Sequence, residues 1–211
     1  MSKRYWILVA AIALAAAVAG MYLARALDQP AVPQLESGTA LPVPDPLAPF
    51  DVLDTAGAPV SPAQLRGHPT LVFFGFTYCP DVCPTTLALL ASVQKQVMAA
   101  DKELAGLKVA LISVDPERDT PEQLGKYISS FGGDFIGLTG SPPEIVKAQK
   151  SFGVAASRVD LAGGGYTMDH SATVFLLDAQ ARKVAVFTPP LRAAALARDL
   201  QKLAPLLRSQ P

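Results

Sequence analysis

Residues 70–84 read Thr70-Leu71-Val72-Phe73-Phe74-Gly75-Phe76-Thr77-Tyr78-Cys79-Pro80-Asp81-Val82-Cys83-Pro84. Thr70 to Phe76 is a continuous apolar run rich in β-formers, the pattern of a strand buried on both faces of a sheet. Beyond Pro84, Leu90, Val93 and Val97 recur at helical spacing. The two cysteines therefore lie in an elbow between a buried strand and the start of an amphipathic helix. Pro84 is tolerated there because the N–H groups of a first helical turn have no helical acceptor.

Outward from this elbow, strand and helix signals alternate. Lys108 to Asp115 (KVALISVD) is a second buried strand. Thr120-Pro121-Glu122-Gln123 and Ser141-Pro142-Pro143-Glu144 both have the form of a capping box with proline at the first helical position, and Gly153 ends the second of these helices. A short strand over Asp134 to Leu138 separates them. Ser171 to Leu177 and Val184 to Phe187 read as a hairpin around Asp178-Ala179-Gln180, and a last helix runs from about Leu191 to Leu207. Alternating strands and helices, closed by an antiparallel pair, predict an α/β fold of the thioredoxin-like kind, a three-layer sandwich around a mixed central sheet.

The chain has 211 residues with 18 basic and 18 acidic side chains, and no basic run beyond Lys3-Arg4, which excludes a nucleic-acid surface. With 50% hydrophobic residues it is too apolar to be disordered. Two cysteines exclude a disulfide scaffold and a four-cysteine zinc site. Trp6 to Leu23 is uncharged over 18 residues, about 27 Å as a helix, which just spans a bilayer core. Lys3 and Arg4 precede it, so the positive-inside rule keeps the N-terminus cytoplasmic and exports the rest. Ala24-Arg25-Ala26 also fits a signal-peptidase site, but the apolar run exceeds the usual 7 to 15 residues or so of a signal peptide, favouring an uncleaved anchor. The expected organisation is a single N-terminal transmembrane helix within 1–27, a linker over 28–49 containing six prolines, and one domain with its own core over 50–211.

Cysteine chemistry follows from position. A helix start favours thiolate over thiol, making both sulfurs better ligands and nucleophiles. If the first helical turn includes both, residues four apart share one face and lie close enough to oxidise, while the spacing, one residue wider than C-x-x-C, leaves room for a metal ion. Two inert or simply disulfide-bonded cysteines are the plain alternative, for which such an elbow is a poor place. A lone histidine is more often a loop residue than a ligand, but in a thioredoxin-like sheet the loop before the strand at Ser171 faces the elbow, which makes His170 the candidate to close a set with Cys79 and Cys83. Two thiolates and an imidazole suit Cu(I) and remain competent for Cu(II). A structural zinc site would want a fourth ligand. Met168 is a secondary soft candidate, and His68, between Gly67 and Pro69, has nothing of ligand spacing around it. Asp81 and Asp169 are candidate outer acceptors rather than ligands. Asp115, Glu117, Arg118 and Asp119 read either as a solvated loop or as a docking surface.

Cys79-Pro80-Asp81-Val82-Cys83-Pro84, Ser113 to Pro121 (SVDPERDTP) and Asp169-His170-Ser171, in that order behind one membrane anchor, resemble the Sco/SenC family of copper proteins. The resemblance covers essentially the whole exported domain. It implies copper bound by Cys79, Cys83 and His170, and a role in assembling the dinuclear copper centre of cytochrome c oxidase subunit II. It also implies an extracytoplasmic copper donor or thiol reductant as partner, and a domain facing the periplasm from the cytoplasmic membrane. Where general thioredoxins have a cis-proline facing the redox pair, this chain has His170-Ser171-Ala172-Thr173. A metallochaperone is therefore favoured over an extracytoplasmic thiol–disulfide oxidoreductase using Cys79 and Cys83 as a redox-active pair. Peroxide reduction, which would need one cysteine activated by nearby Arg and Thr, ranks third.

Overall fold

The computed structural model describes residues 3–27 and 32–207 and divides into two units, Met1–Val32 and Pro33–Pro211. The first contains α1 (Lys3–Leu27). Its Arg4–Tyr22 stretch, with mean hydropathy 2.0, is a candidate single membrane span. Trp6, Ile7, Leu8, Ile12 and Leu14 are all exposed on it, and a helix apolar all round suits lipid better than water.

The second unit runs β1 (Gly38–Pro46), β2 (Val52–Asp54), β3 (Pro59–Val60), β4 (Thr70–Gly75), α2 (Val82–Ala100), β5 (Lys108–Ser113), α3 (Pro121–Ser129), β6 (Phe135–Thr139), α4 (Pro142–Phe152), β7 (Ala156–Asp160), β8 (Tyr166–His170), β9 (Val174–Leu177), β10 (Arg182–Phe187) and α5 (Ala193–Leu203). Eight strands form one mixed sheet in the order β1-β10-β9-β4-β5-β6-β2-β3, and β7 and β8 form a separate ribbon. Strands β4, β5 and β6 are parallel, and β9 lies antiparallel to β4. Every residue of β4 and β9 is buried, as the continuous apolar runs require. Burial of each such Phe or Leu side chain contributes about 1.5–3 kcal/mol, so these central strands anchor the domain.

Both faces of the sheet are covered. Phe73, Leu111 and Gly137 share one row across β4, β5 and β6. A Cβ on Gly137 would lie 2.9 Å from Leu124 Cγ and 3.0 Å from Ile128 Cδ1, so this row faces α3. On the other face Phe74 meets Phe152 of α4 edge-on, ring centroids 5.3 Å apart. The expected three-layer arrangement and mixed sheet are therefore present. Thr120 caps α3 through Gln123 N–H at 3.2 Å, and Gly153 closes α4 at φ 72°. Ser141 makes no cap bond; the Glu144 carboxylate of that box accepts from Asp51 N–H at 2.8 Å instead.

Three expectations need correction. The proline-rich stretch is not linker throughout: Gly38–Pro46 pairs antiparallel with β10, with a register shift between Ala40 and Asp45. An edge strand with a bulge tolerates Pro42, Pro44 and Pro46 because it need not donate along its whole length. The segment before it is fastened to α5, where the buried Asp199 carboxylate accepts from Glu36 N–H, Ser37 N–H and Ser37 Oγ at 2.7–2.8 Å. The part of the expected linker at 28–31 lies outside the described residues. The strand expected from Ser171 begins at Val174. His170 lies not in a loop but at the end of β8, paired with β7. That ribbon is largely polar and half exposed, so it carries little apolar alternation for sequence reading to detect.

Candidate metal centre

Strand β4 delivers the elbow. Its last residue, Gly75, leads through Phe76, Thr77 and Tyr78 to Cys79, and α2 begins at Val82. Cys83 thus falls in the first helical turn and is fully buried, while Cys79 precedes the helix and is half-buried. Cys83 N–H, one of the donors a helix start leaves without a helical acceptor, points at Cys79 Sγ at 3.4 Å. The expectation that both sulfurs are readily thiolate fails for Cys83. Burial, seconded by the neighbouring Cys79 sulfur, pushes its thiol well above the ordinary range. A metal arriving here must displace that proton.

His170 faces these sulfurs from β8. Its Nδ1 lies 3.1 Å from the carbonyl oxygen of Ser171. A carbonyl only accepts, so Nδ1 carries the hydrogen, and in the neutral ring Nε2 is the nitrogen that turns its lone pair toward the sulfurs. Nε2 is 3.5 Å from Cys83 Sγ. The ring is held edge-on by Phe73 and Phe76, with centroids at 6.1 and 5.8 Å. The two sulfurs and the imidazole nitrogen lie within 4.8 Å of one another, so a chain separation of 87 residues between Cys83 and His170 closes into one soft S, S, N donor set.

Gly75, which sequence reading passed over, makes room for it. A Cβ there would lie 2.9 Å from Cys83 Sγ, 3.1 Å from Phe73 Cε1 and 3.2 Å from Leu111 Cδ1. Gly75→Ala is expected to overpack the core by about 1–3 kcal/mol and to displace the Cys83 sulfur. Denaturant unfolding of the reduced protein checks this, and an unchanged midpoint would show that the sulfur has room to move.

The remaining candidates separate cleanly. His68 lies before β4, at the opposite end from the elbow, its Nδ1 3.1 Å from Thr70 Oγ1. Met168 shares a strand face with His170 by alternation and is partly buried against the core. Asp81 and Asp169 are exposed. The charged turn after β5 is not a solvated loop: Asp115 is 3% exposed and Asp119 0%, leaving only Glu117 of the three acids in water. Asp119 accepts from Thr77 N–H at 3.0 Å, Thr77 Oγ1 at 2.6 Å and Ser113 Oγ at 2.6 Å. Burial raises its carboxyl above the ordinary value, against the pull of these bonds.

A thioredoxin-like domain with a Cys-Cys-His cluster at its strand–helix elbow defines the class. Residues 41–205 match the SCO1/SenC family. The chain is 39% identical over 131 residues to Protein SCO1 homolog 1, mitochondrial, of Arabidopsis thaliana, covering 61% of this chain but only 38% of that one. ScoI of Bradyrhizobium japonicum with copper bound is 41% identical, with a TM-score of 0.65 over 74% of this chain and 98% of that one. Apo Sco1 of Thermus thermophilus is 37% identical, with a TM-score of 0.70 over 82% and 99%. The chain belongs to the SCO1/SenC family.

Proposed function

We propose that this protein is a membrane-anchored copper-binding assembly factor. Its cargo is a copper ion held by Cys79, Cys83 and His170. It delivers that copper to, or reduces the cysteines of, the dinuclear copper site on subunit II of cytochrome c oxidase. The observation that carries this reading is the convergence of two sulfurs and a lone-pair-bearing imidazole nitrogen within 4.8 Å. Copper in the 41% identical Bradyrhizobium protein supports it. Softness argues for Cu(I), since thiolates stabilise that state most. The half-buried Cys79 leaves one edge of the site reachable by an acceptor or by a donor protein. Lys3 and Arg4 ahead of the apolar span favour a single pass with the domain in the periplasm, on the face of the cytoplasmic membrane where an exported acceptor domain is met.

The thiol–disulfide reading draws on the same pair, since both cysteines are free and Cys83 N–H already points at Cys79 Sγ. A dithiol needs no imidazole to exchange. A deletion strain separates the two readings. Loss of the gene is expected to lower the activity of a copper-containing terminal oxidase several-fold, with partial rescue by added copper through mass action. At limiting copper, full-length protein should restore activity, whereas His170→Ala and a form lacking residues 3–27 should not. Full complementation by His170→Ala would favour the reductase reading, and complementation by the truncated form retained in the cytoplasm would overturn the topology.

A further inference from the structure

We infer that Arg118 is a positioning residue for the copper site, aligning the His170 ribbon on the cysteine elbow. The inference rests on the copper reading above. Strands β7 and β8 stand apart from the eight-stranded sheet, and two-stranded ribbons are marginal on their own. The place of His170 relative to the sulfurs therefore depends on side chains that tie the ribbon down.

The turn after β5 provides that tie. Arg118 Nη1 donates to the Tyr166 carbonyl oxygen at 2.9 Å, and its guanidinium carbon lies 3.7 Å from the Tyr166 ring centroid. The same guanidinium lies 4.7 Å from the ring of Tyr78, the residue before Cys79. One flat cation thus contacts a residue four positions before His170 and a residue adjoining Cys79. Asp115 fixes the cation from behind, accepting Arg118 Nε at 2.5 Å and the Tyr166 hydroxyl at 2.8 Å. The neighbouring Asp119 holds Thr77, two residues ahead of Cys79. A single short turn therefore grips both halves of a site whose ligands come from distant parts of the chain. Planarity is essential to this role, because a lysine would keep the charge but neither stack on two rings nor reproduce the fixed pair of bonds from Nε to Asp115 and from Nη1 to the Tyr166 carbonyl.

The test is copper retention by the full chain in detergent against a fixed chelator, with the sulfur-to-copper absorption band of the Cu(II) form and the thermal midpoint read in parallel. Arg118→Lys is expected to weaken retention about tenfold, the range for outer partners of metal ligands, and to shift the band. In the His170→Ala background the same change should cost less than about twofold, because a residue acting through His170 has nothing left to align. Arg158→Gln removes another cation, 3.8 Å from the Tyr166 ring centroid, without touching the elbow, and should likewise cost less than about twofold. Undiminished retention in Arg118→Lys, an equal loss with His170 absent, or an equal loss in Arg158→Gln would overturn the inference. If Arg118→Lys does not fold, Tyr166→Phe removes only the hydroxyl held by Asp115. It should weaken retention about two- to threefold in a His170-dependent manner, and no loss there would overturn the inference as well. Undiminished retention in His170→Ala alone would instead show that the copper reading had failed, and the alignment role with it.

Discussion

The reduced full-length chain, purified in detergent, is expected to hold one copper, and the Cys79→Ser, Cys83→Ser double variant to hold none above background. Removing an outer partner of a metal ligand costs about 10–100-fold in affinity. Losing a sulfur ligand outright should exceed about 100-fold, because a hydroxyl neither carries the thiolate charge nor matches the softness of Cu(I). The single serine variants should therefore fall far below the parent. His170→Ala should weaken retention less than either, since it leaves both sulfurs in place. His68→Ala should match the parent, because that ring lies beyond the opposite end of β4, beside Thr70. Serine at position 83 would bury a hydroxyl where a fully buried thiol now sits, so the unfolding midpoint must be followed in parallel. A double variant that is folded and still retains copper would remove the proposed site.

Oxidation is expected to abolish copper binding as completely as the double substitution, and reduction to restore it. Both cysteines are free, and closure would bring their sulfurs to about 2.05 Å while two electrons and two protons pass to the oxidant. A disulfide sulfur has no thiolate charge to give a metal. The converse should hold too: copper bound first should slow oxidation, because both sulfurs are then engaged. The loaded fraction would follow the redox poise of the compartment, so copper handling and thiol redox are two uses of one pair rather than separable activities. Titrating Cu(I) into oxidised and reduced protein checks this directly, and equal affinity in the two states would rule it out.

Much of the domain was legible from local pattern. The buried runs of β4 and β5, the Thr120 cap of α3 and the Gly153 terminus of α4 all follow from interactions within a few residues. The elbow was legible for the same reason, since Cys79 and Cys83 are four residues apart and both flank the start of one helix. The proline-rich stretch was not. Proline removes donors and local pattern, and what makes Gly38–Pro46 a strand is β10, more than 130 residues away. Counting charges also misled at the turn after β5, where composition suggests solvent but Thr77, Ser113 and Tyr166 supply the donors that let Asp115 and Asp119 be buried.

By itself the sequence determined the two sulfurs, their place between a buried strand and a helix start, the apolar segment ahead of the domain, and the α/β layering, because each depends on periodicity or spacing along a continuous stretch. Only the tertiary structure decided that His170 Nε2 comes within 3.5 Å of Cys83 Sγ, that the Ser171 carbonyl holds its other nitrogen protonated, and that burial keeps the Cys83 proton in place until something displaces it. It alone placed Gly75 under that sulfur and Arg118 across the two halves of the site. These depend on atoms brought together from β4, β8 and the turn after β5, and desolvation, like distance, is a property of the packed whole that no local window of residues contains.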